Sequence, residues 1–517
     1  MKAIRMQQKS ERRISAALRL AFAALALLLQ VAFVVLLAHF LQEYMAVVYA
    51  VLEIAALAVA IHIYNSGDDS MHKLTWIILL LAVPVVGFIL YAFWSGDAQR
   101  RRLAKKAPTA PDEPESVRAR SEMSADKLRN TLPGWARLSA YLRRQGFLLY
   151  QNTRVTYFSE GERMLRDMLE QIKRAEHFVF LEYFILAEGK IWNELCAVLC
   201  EKARSGVEVQ IIFDDFGNIR RFGGETIAQL RASGAEVYIF NPVQKYVNRL
   251  YFNYRDHRKI CCVDGSIAYT GGVNIADEYA NIVARFGYWK DSGVRLEGEG
   301  AWGLTSAFLE MSRYLGGGGH NERDYYRPHD TAPADGFCQP FTDGPHSSAE
   351  RPAEDVYLQM ISLARRFLYI TTPYFIPDAN LMRSLCLAGD GGVDVRLMLP
   401  GRPDHWYTDY VAGSYFGELL RHGVKIYRYT PGFLHSKSIM ADREAAYIGS
   451  ANADYRSFRL NFECGVAVYG ASMIEELLED MDDIAAHSRA ITFEQWSKRP
   501  WRRKVLEPLL RLTAIWM

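Results

Sequence analysis

Cysteine is scarce in this 517-residue chain, and no two of its seven cysteines form a paired C-x-x-C arrangement. That odd, scattered set argues against a disulfide framework and against a structural zinc site, and it suits a reducing, cytosol-facing domain. Cys196 and Cys200 stand four apart in "WNELCAVLCEKA" and read as small apolar helix positions rather than metal ligands. An excess of charge of one sign is also missing, the formal net charge being +2. No small-residue cleavage site precedes the second apolar run, which excludes a signal peptide followed by a soluble mature chain. No aromatic-basic stacking groove is evident, which argues against a polynucleotide substrate.

The near-zero net charge hides clustering. Lys2, Arg5, Lys9, Arg12, Arg13 and Arg19 open the chain, and Arg100, Arg101, Arg102, Lys105 and Lys106 follow the last apolar segment. Beside apolar segments such clusters point to anionic lipid. Residues 20–41 and 73–94 are each long enough to cross a hydrocarbon core of about 30 Å as helices. Between them, 44–64 is a third candidate, with Glu53 near its centre, where an acid is costly, and Gln30 at similar depth in the preceding segment to hydrogen-bond it. Positive charge on both flanks asks for an even number of crossings, whereas the apolar segments number three. The expectation is a membrane region over 1–106 with two or three helices and the remainder of the chain in the cytosol.

Residues 107–145, rich in Pro, Ser and charge, read as a solvated linker. Beyond it the chain repeats. "HFVFLEYFIL" (177–186) answers "RFLYITTPYFI" (366–376), "SGVEVQIIFDD" (205–215) answers "GGVDVRLMLPG" (391–401), and "SGAEVYIFNP" (233–242) answers "HGVKIYRYTP" (422–431). Apolar runs of strand length separated by helical periodicity predict two α/β domains, 146–330 and 331–490, with mixed, mostly parallel sheets flanked by helices and related by a pseudo-twofold. A basic, Trp-containing amphipathic tail over 491–517 ends the chain; its composition suits a helix at an anionic interface or one packed on the domain.

The repeat doubles a set of reactive side chains. "DHRKICCVDGSIAYTGGVN" (256–274) matches "LHSKSIMADREAAYIGSAN" (434–452), so His257, Lys259, Asp264 and Asn274 correspond to His435, Lys437, Asp442 and Asn452. Two copies with identical spacing inside aligned repeats exclude coincidence. In a strand, residues i and i+2 share a face, so each histidine projects with its lysine. Imidazole serves as nucleophile or proton donor near neutral pH, while ammonium and amide groups suit phosphate oxygens. The constellation reads as a phosphodiester site that needs no metal or cofactor. One histidine attacks phosphorus, and the other protonates the leaving alcohol and deprotonates the incoming one. Asp264 and Asp442, beside turn residues, serve either catalysis or the bracing of strand and turn. "KDSGVRLEG" (290–298) aligns with "FECGVAVYG" (462–470) and pairs Asp291 with Glu463 as carboxylates to orient the histidines.

On these residues the chain resembles the phospholipase D superfamily and, within it, the bacterial cardiolipin synthases. The subfamily resemblance rests on "HRKICCVDG", "TGGVNIADEY", "TPYFIPD", "GFLHSK" and "GSANADYRSFRLNFE", together with the apolar "KLTWIILLLAVPVVGFILYAF". It implies transfer of a phosphatidyl group from one phosphatidylglycerol to another, giving cardiolipin and glycerol, by a multi-pass enzyme of the bacterial inner membrane. It also implies His257 as nucleophile, His435 as general acid and base, and Lys259, Lys437, Asn274, Ser450 and Asn452 as phosphate-holding groups. The chain departs from the family pattern at Gly293, where a histidine is usual, and at "TDGPH" (342–346), which replaces a Ser-Gly-Pro-Asp. Acceptor choice is the property these changes touch, so a hydrolase and a transferase using another alcohol are the neighbouring readings. A nuclease would leave the apolar segments without use, and a silent membrane scaffold would not keep both motif sets complete.

Overall fold

The computed structural model describes residues 28, 32, 44–66, 70–94, 115–219, 221–242, 254–318, 322–327, 336–345, 351–512 and 514. They belong to two units, one N-terminal and apolar, the other carrying both repeats.

In the N-terminal unit, α1 (Met45–Tyr64) is the one helix among the described residues with the length and apolarity to cross a membrane. It is the segment whose spanning the central Glu53 puts in question. The expected 73–94 helix is broken: α2 (Ser70–Ala82) ends before Pro84, and α3 (Pro84–Trp94) starts there. Proline removes a backbone donor and crowds the preceding turn, so neither piece is long enough to span alone. The two pieces fold together, with the Trp76 and Tyr91 rings 5.4 Å apart and a Cβ at Gly87 lying only 2.8 Å from the Leu79 carbonyl oxygen. Apart from residues 28 and 32, the 20–41 segment lies outside the described residues, and so does Gln30 of the expected Gln30–Glu53 pairing.

The second unit begins earlier than the sequence suggests. The described part of the expected linker folds as α4 (Glu115–Thr131) and α5 (Ala136–Arg144). Its apolar stripe is thin but keeps helical spacing, with Val117, Ala125, Leu128, Leu138 and Leu142 buried. Leu128, Trp135, Leu138 and Leu142 join the core of the second repeat, and the Trp135 indole donates to Glu444 at 2.7 Å. Charge on the outer face, and Ser121, Ser124 and Ser139 within the buried one, conceal this stripe in a composition average.

The first repeat contains β1 (Thr153–Phe158), β2 (Phe178–Tyr183), β3 (Glu208–Asp214), β4 (Glu236–Phe240), β5 (Arg255–Asp256), β6 (Lys259–Val263), β7 (Ile267–Gly271), β8 (Tyr288–Lys290) and β9 (Gly293–Gly298). The second contains β10 (Phe337–Asp343), β11 (Phe367–Thr371), β12 (Phe375–Ile376), β13 (Asp394–Pro400), β14 (Lys425–Tyr429), β15 (Gly432–Leu434), β16 (Ser438–Ala441), β17 (Ala445–Gly449), β18 (Ala453–Asp454), β19 (Asn461–Tyr469) and β20 (Ser488–Ile491). The first sheet runs β1-β9-β7-β6-β2-β3-β4 and the second β10-β19-β17-β16-β11-β13-β14-β20, the same order with one added edge strand.

The sheets are mixed, but along the two main strand orders only β2-β3-β4 and β11-β13-β14 pair in parallel. The mostly parallel expectation fails because strand-helix-strand units cover only those three strands. The motif itself is a hairpin, β6-β7 or β16-β17, and short turns force antiparallel neighbours. Strands of both sheets contribute to one continuous apolar layer, in which Phe180, Ile260 and Val294 meet Met440, Ile448 and Val466.

At the C-terminal end, β20, α7 (Phe493–Ser497) and α8 (Trp501–Arg511) follow one another, and α7 and α8 pack on the earlier helix α6 (Trp406–Arg421). Gly413 and Gly417 on α6 admit the tail: the Trp496 ring occupies the space a Gly417 side chain would need, and its indole donates to the Gly413 carbonyl at 2.9 Å.

Candidate active site

Each histidine sits just after a short strand that leaves its own sheet. β5 pairs in parallel with the start of β19, and the His257 N–H donates to the Phe462 carbonyl at 2.9 Å. β15 pairs in parallel with β8, and the His435 N–H donates to the Lys290 carbonyl at 2.7 Å. The histidines therefore lie in extended connections at strand ends rather than inside strands, each sewn to the opposite repeat. Within each motif the lysine ammonium donates to the carbonyl of its own histidine, Lys259 to His257 at 2.5 Å and Lys437 to His435.

The carboxylates expected behind the histidines are present, and they are exchanged. His257 Nδ1 lies 2.9 and 3.0 Å from the two carboxylate oxygens of Glu463, and His435 Nδ1 lies 2.6 Å from Asp291 Oδ2. An Nδ1–H donated to a carboxylate leaves the Nε2 lone pair as the free one. Glu463 is itself held by the Ser450 hydroxyl at 2.5 Å and the Asn461 amide at 3.1 Å, and Asp291 accepts the Ser292 N–H at 2.9 Å.

Charge balance follows from burial. Burial works against ionised Glu463, but His257 and Lys259 outweigh it and hold its carboxyl down at about 2. Asp291 is likewise buried and still held below the usual carboxylate range by His435 and Lys437. Desolvation lowers both His257 and His435 to about 4 despite their acids, with Lys437 adding to the effect on His435. Burial also brings Lys259 down to about 8 and Lys437 to about 7. The pocket thus favours neutral imidazoles and easily discharged ammonium groups, an environment that gains when an anion enters.

Other expected residues take different places. Asp264 sits at the far end of β6, where its carboxylate accepts the N–H groups of Glu176, His177 and Phe178 at 2.7–2.9 Å. Asp442 does the same for Arg365, Arg366 and Phe367 at 2.7–3.0 Å. Both adopt left-handed backbone, φ 51° and 57°. They brace the hairpin turns, so of catalysis and bracing, the two roles the sequence allows them, the hydrogen bonds favour bracing and count against the catalytic one. Ser450 is committed to Glu463. Asn274 accepts the Ile185 N–H at 3.1 Å and donates to the Tyr279 hydroxyl at 2.8 Å. Asn452 donates to Asp454 at 3.0 Å, while its buried Oδ1 has no partner.

The glycines of the motif are needed for close approach. A Cβ at Gly272 would lie 2.1 Å from Asp291 Oδ1, and one at Gly271 would lie 2.5 Å from the Gly293 Cα. Gly293 faces Gly271 across β7-β9, as Gly465 faces Gly449 across β17-β19, so the residue that departs from the family pattern fits a sheet contact.

Aromatic residues near the histidines escape a reading based on reactive groups. His257 has Phe184 at 5.0 Å, whereas His435 is enclosed by Trp289, Tyr279 and Phe433 at 5.2, 5.3 and 5.7 Å between ring centroids. Tyr279 lies inside the quoted "TGGVNIADEY", and Phe433 inside "GFLHSK", so their nearness to the motif was the available signal.

Two sheets of one topology, with paired His-x-Lys sets meeting across a pseudo-twofold, define a two-histidine phosphodiester enzyme of the phospholipase D class. The family described as "Cardiolipin synthase, PLD-like domain" matches residues 168–282 and 357–485, and "Phospholipase_D-nuclease N-terminal" matches 54–96. The chain is 33% identical to a cardiolipin synthase of Alkalihalophilus pseudofirmus over 92% of its own length and 95% of the relative's. It is 31% identical to the major cardiolipin synthase ClsA of Bacillus subtilis over 89% and 96%. The chain belongs to the bacterial cardiolipin synthase family. Its fold is also that of a phosphatidylserine synthase from Haemophilus influenzae, with a TM-score of 0.56 at 14% identity over 73% of this chain and 100% of the other.

Proposed function

We propose that this phosphatidyltransferase makes cardiolipin from two molecules of phosphatidylglycerol through a phosphatidyl-histidine intermediate. The observation that carries the reading is the pair of imidazoles, each anchored at Nδ1 by a carboxylate of the opposite repeat. His257 Nε2 attacks phosphorus of the first lipid, and the P–O bond to glycerol breaks. The leaving oxygen takes a proton from His435, which Asp291 and the bound phosphate anion together stabilise as imidazolium. A hydroxyl of the second phosphatidylglycerol then gives its proton to His435 and attacks the phosphorus. The P–N bond breaks, and cardiolipin leaves with His257 restored. Lys259 and Lys437 balance the charge that builds on the non-bridging oxygens.

The catalytic unit works on the cytosolic side of the inner membrane, a placement supported by seven free, buried cysteines, with α1 as anchor. The test is mass spectrometry of lipids and released headgroup after full-length protein is incubated in phosphatidylglycerol vesicles, beside His257→Ala and His435→Ala. Cardiolipin with matching glycerol, lost by at least about 10³-fold in both variants, is the expected result. Phosphatidic acid as sole product would make the enzyme a hydrolase.

A further inference from the structure

Helix α8 is packed the wrong way round for a terminal helix of a soluble domain. Its inner face is mainly polar and tied down: Arg503 bonds Asp409 at 2.5 Å, buried Glu507 accepts from Arg499 at 2.7 Å, and the Arg511 guanidinium lies 4.2 Å over the Tyr415 ring, with Leu510 the apolar residue that packs on the core of the second repeat. Its outer face carries Trp501, Val505 and Leu509 at i, i+4 and i+8, exposed by 69, 50 and 56%. Arg502 and Lys504 border that stripe on either side. From 493 to 512 six basic residues stand against two acidic ones. A stripe of this kind, fixed outward by ion pairs on the opposite face, has the composition of a helix that rests on an anionic lipid surface.

The position of the stripe relates it to the site. α8 runs alongside α6 in the same direction, since Arg503 meets Asp409 and Tyr410 while Arg511 meets Tyr415. Trp501 therefore stands at the end of α6 that begins with Trp406, itself 61% exposed and 5.6 Å from Tyr410. That end leads inward: the Tyr374 hydroxyl donates to Asp404 at 2.5 Å, Tyr374 lies 6.5 Å from Phe433, and Phe433 packs on His435. On the first repeat, exposed Ile282 and Val283 precede Phe286, whose ring lies 6.1 Å from the same Phe433.

We infer that the outer face of α8, with Trp406 and the 282–283 loop, seats the catalytic unit on the anionic bilayer so that a lipid headgroup reaches His435 while its acyl chains stay among their neighbours. This deepens the reading of the chain as a phosphatidyltransferase and rests on it for the choice of substrate, but the docking itself is measurable without turnover.

The full chain, carrying Val505→Cys labelled with an environment-sensitive fluorophore, is reconstituted in nanodiscs that contain nitroxide-labelled lipid. The native cysteines are buried, and Arg129→Cys on α4 serves as the control position. The expected result is blue-shifted emission quenched by the nitroxide at 505 and not at 129, stronger with phosphatidylglycerol than with phosphatidylcholine alone. A label at 505 that stays accessible to aqueous iodide and unquenched by lipid overturns the proposal, and it does so whether or not cardiolipin is made. As a second measurement, Trp501→Glu/Val505→Glu/Leu509→Glu should lower turnover on phosphatidylglycerol bilayers about tenfold while leaving turnover of short-chain micellar substrate and the thermal midpoint unchanged. Undiminished bilayer turnover in that variant also overturns it.

Discussion

The two repeats present the same reacting pair on different supports. Beneath His257 the first repeat buries an ionic cluster, in which Arg258 lies 3.6 Å from Glu182 and the Arg258 N–H donates to Asp256 at 3.3 Å. Burial, reinforced by Asp256, pushes the Glu182 carboxyl well up. At the aligned positions the second repeat has Thr371, Leu434 and Ser436, a neutral floor. The surroundings differ in the same way, with one aromatic neighbour beside His257 and three around His435. The motif backbones differ too: Gly272 leaves room for Asp291, whereas its counterpart Ser450 supplies a hydroxyl that holds Glu463. Duplication thus preserves the geometry of the paired side chains while each copy solves the burial of charge in its own way, and the difference is consistent with the separate tasks proposed for the two imidazoles.

The sharpest way to separate those tasks is to remove each carboxylate. Glu463→Gln and Asp291→Asn should each lower kcat by about 10² to 10⁴, because an amide no longer enforces the Nδ1–H tautomer or favours imidazolium. A carboxylate raises the pKa of the histidine it faces, so each loss moves one limb of the pH–rate profile to lower pH. With His257 as nucleophile and His435 as acid, Glu463→Gln shifts the acidic limb and Asp291→Asn the basic limb. The opposite assignment of limbs would exchange the two roles.

Next in size is the ionic floor. Arg258→Met strands Glu182 and Asp256 and should cost about 3–5 kcal/mol in denaturant unfolding, whereas Ser436→Ala should stay within about 0.5 kcal/mol. The sign with pH is fixed. Without Arg258 the two carboxyls have folded-state values raised further above their unfolded ones, so the variant is closest to normal at low pH and loses stability as pH rises. Equal costs at 258 and 436 would break the contrast between the repeats.

Where the repeats agree, their variants should agree. Asp264→Asn and Asp442→Asn keep a residue tolerant of left-handed backbone but weaken three charge-assisted bonds, and each should lose about 2–3 kcal/mol of stability. Activity per folded molecule should change little, as expected of braces remote from phosphorus. A selective loss of kcat at either position would return it to the chemistry.

The smallest effect belongs to the lysines. Lys437 at about 7 and Lys259 at about 8 are partly discharged in the open pocket, and a phosphate anion favours their charged forms. Calorimetry with inorganic phosphate in buffers of different ionisation enthalpy should show net uptake of a fraction of a proton between pH 7 and 8, with affinity falling toward pH 9. Proton release on binding would contradict this balance.

The doubled motif, the carboxylate pair and the strand-helix-strand units were legible in the sequence because each rests on local spacing. Helices α4 and α5 were not, since their buried stripe relies on alanine and serine as much as on leucine. The direction of the outer strands depends on which hairpins close, which periodicity does not report. That Glu463 serves His257 and Asp291 serves His435 is a property of docking alone. The aromatic cage of His435 was hidden for a related reason: Tyr279, Trp289 and Phe433 stand outside the His-x-Lys sets, and tertiary packing gathers them around the ring.

The exchange of carboxylates has a consequence in time. His257 and Glu463 are 206 positions apart, and Asp291 and His435 are 144 apart. A nascent chain that has emerged only through its first repeat carries an imidazole without its anchor and an anchor without its imidazole. A product truncated after the first repeat therefore lacks both complete imidazole–carboxylate pairs on which the proposed reaction depends. On the proposed mechanism the two pairs are completed together, when the second repeat docks on the first.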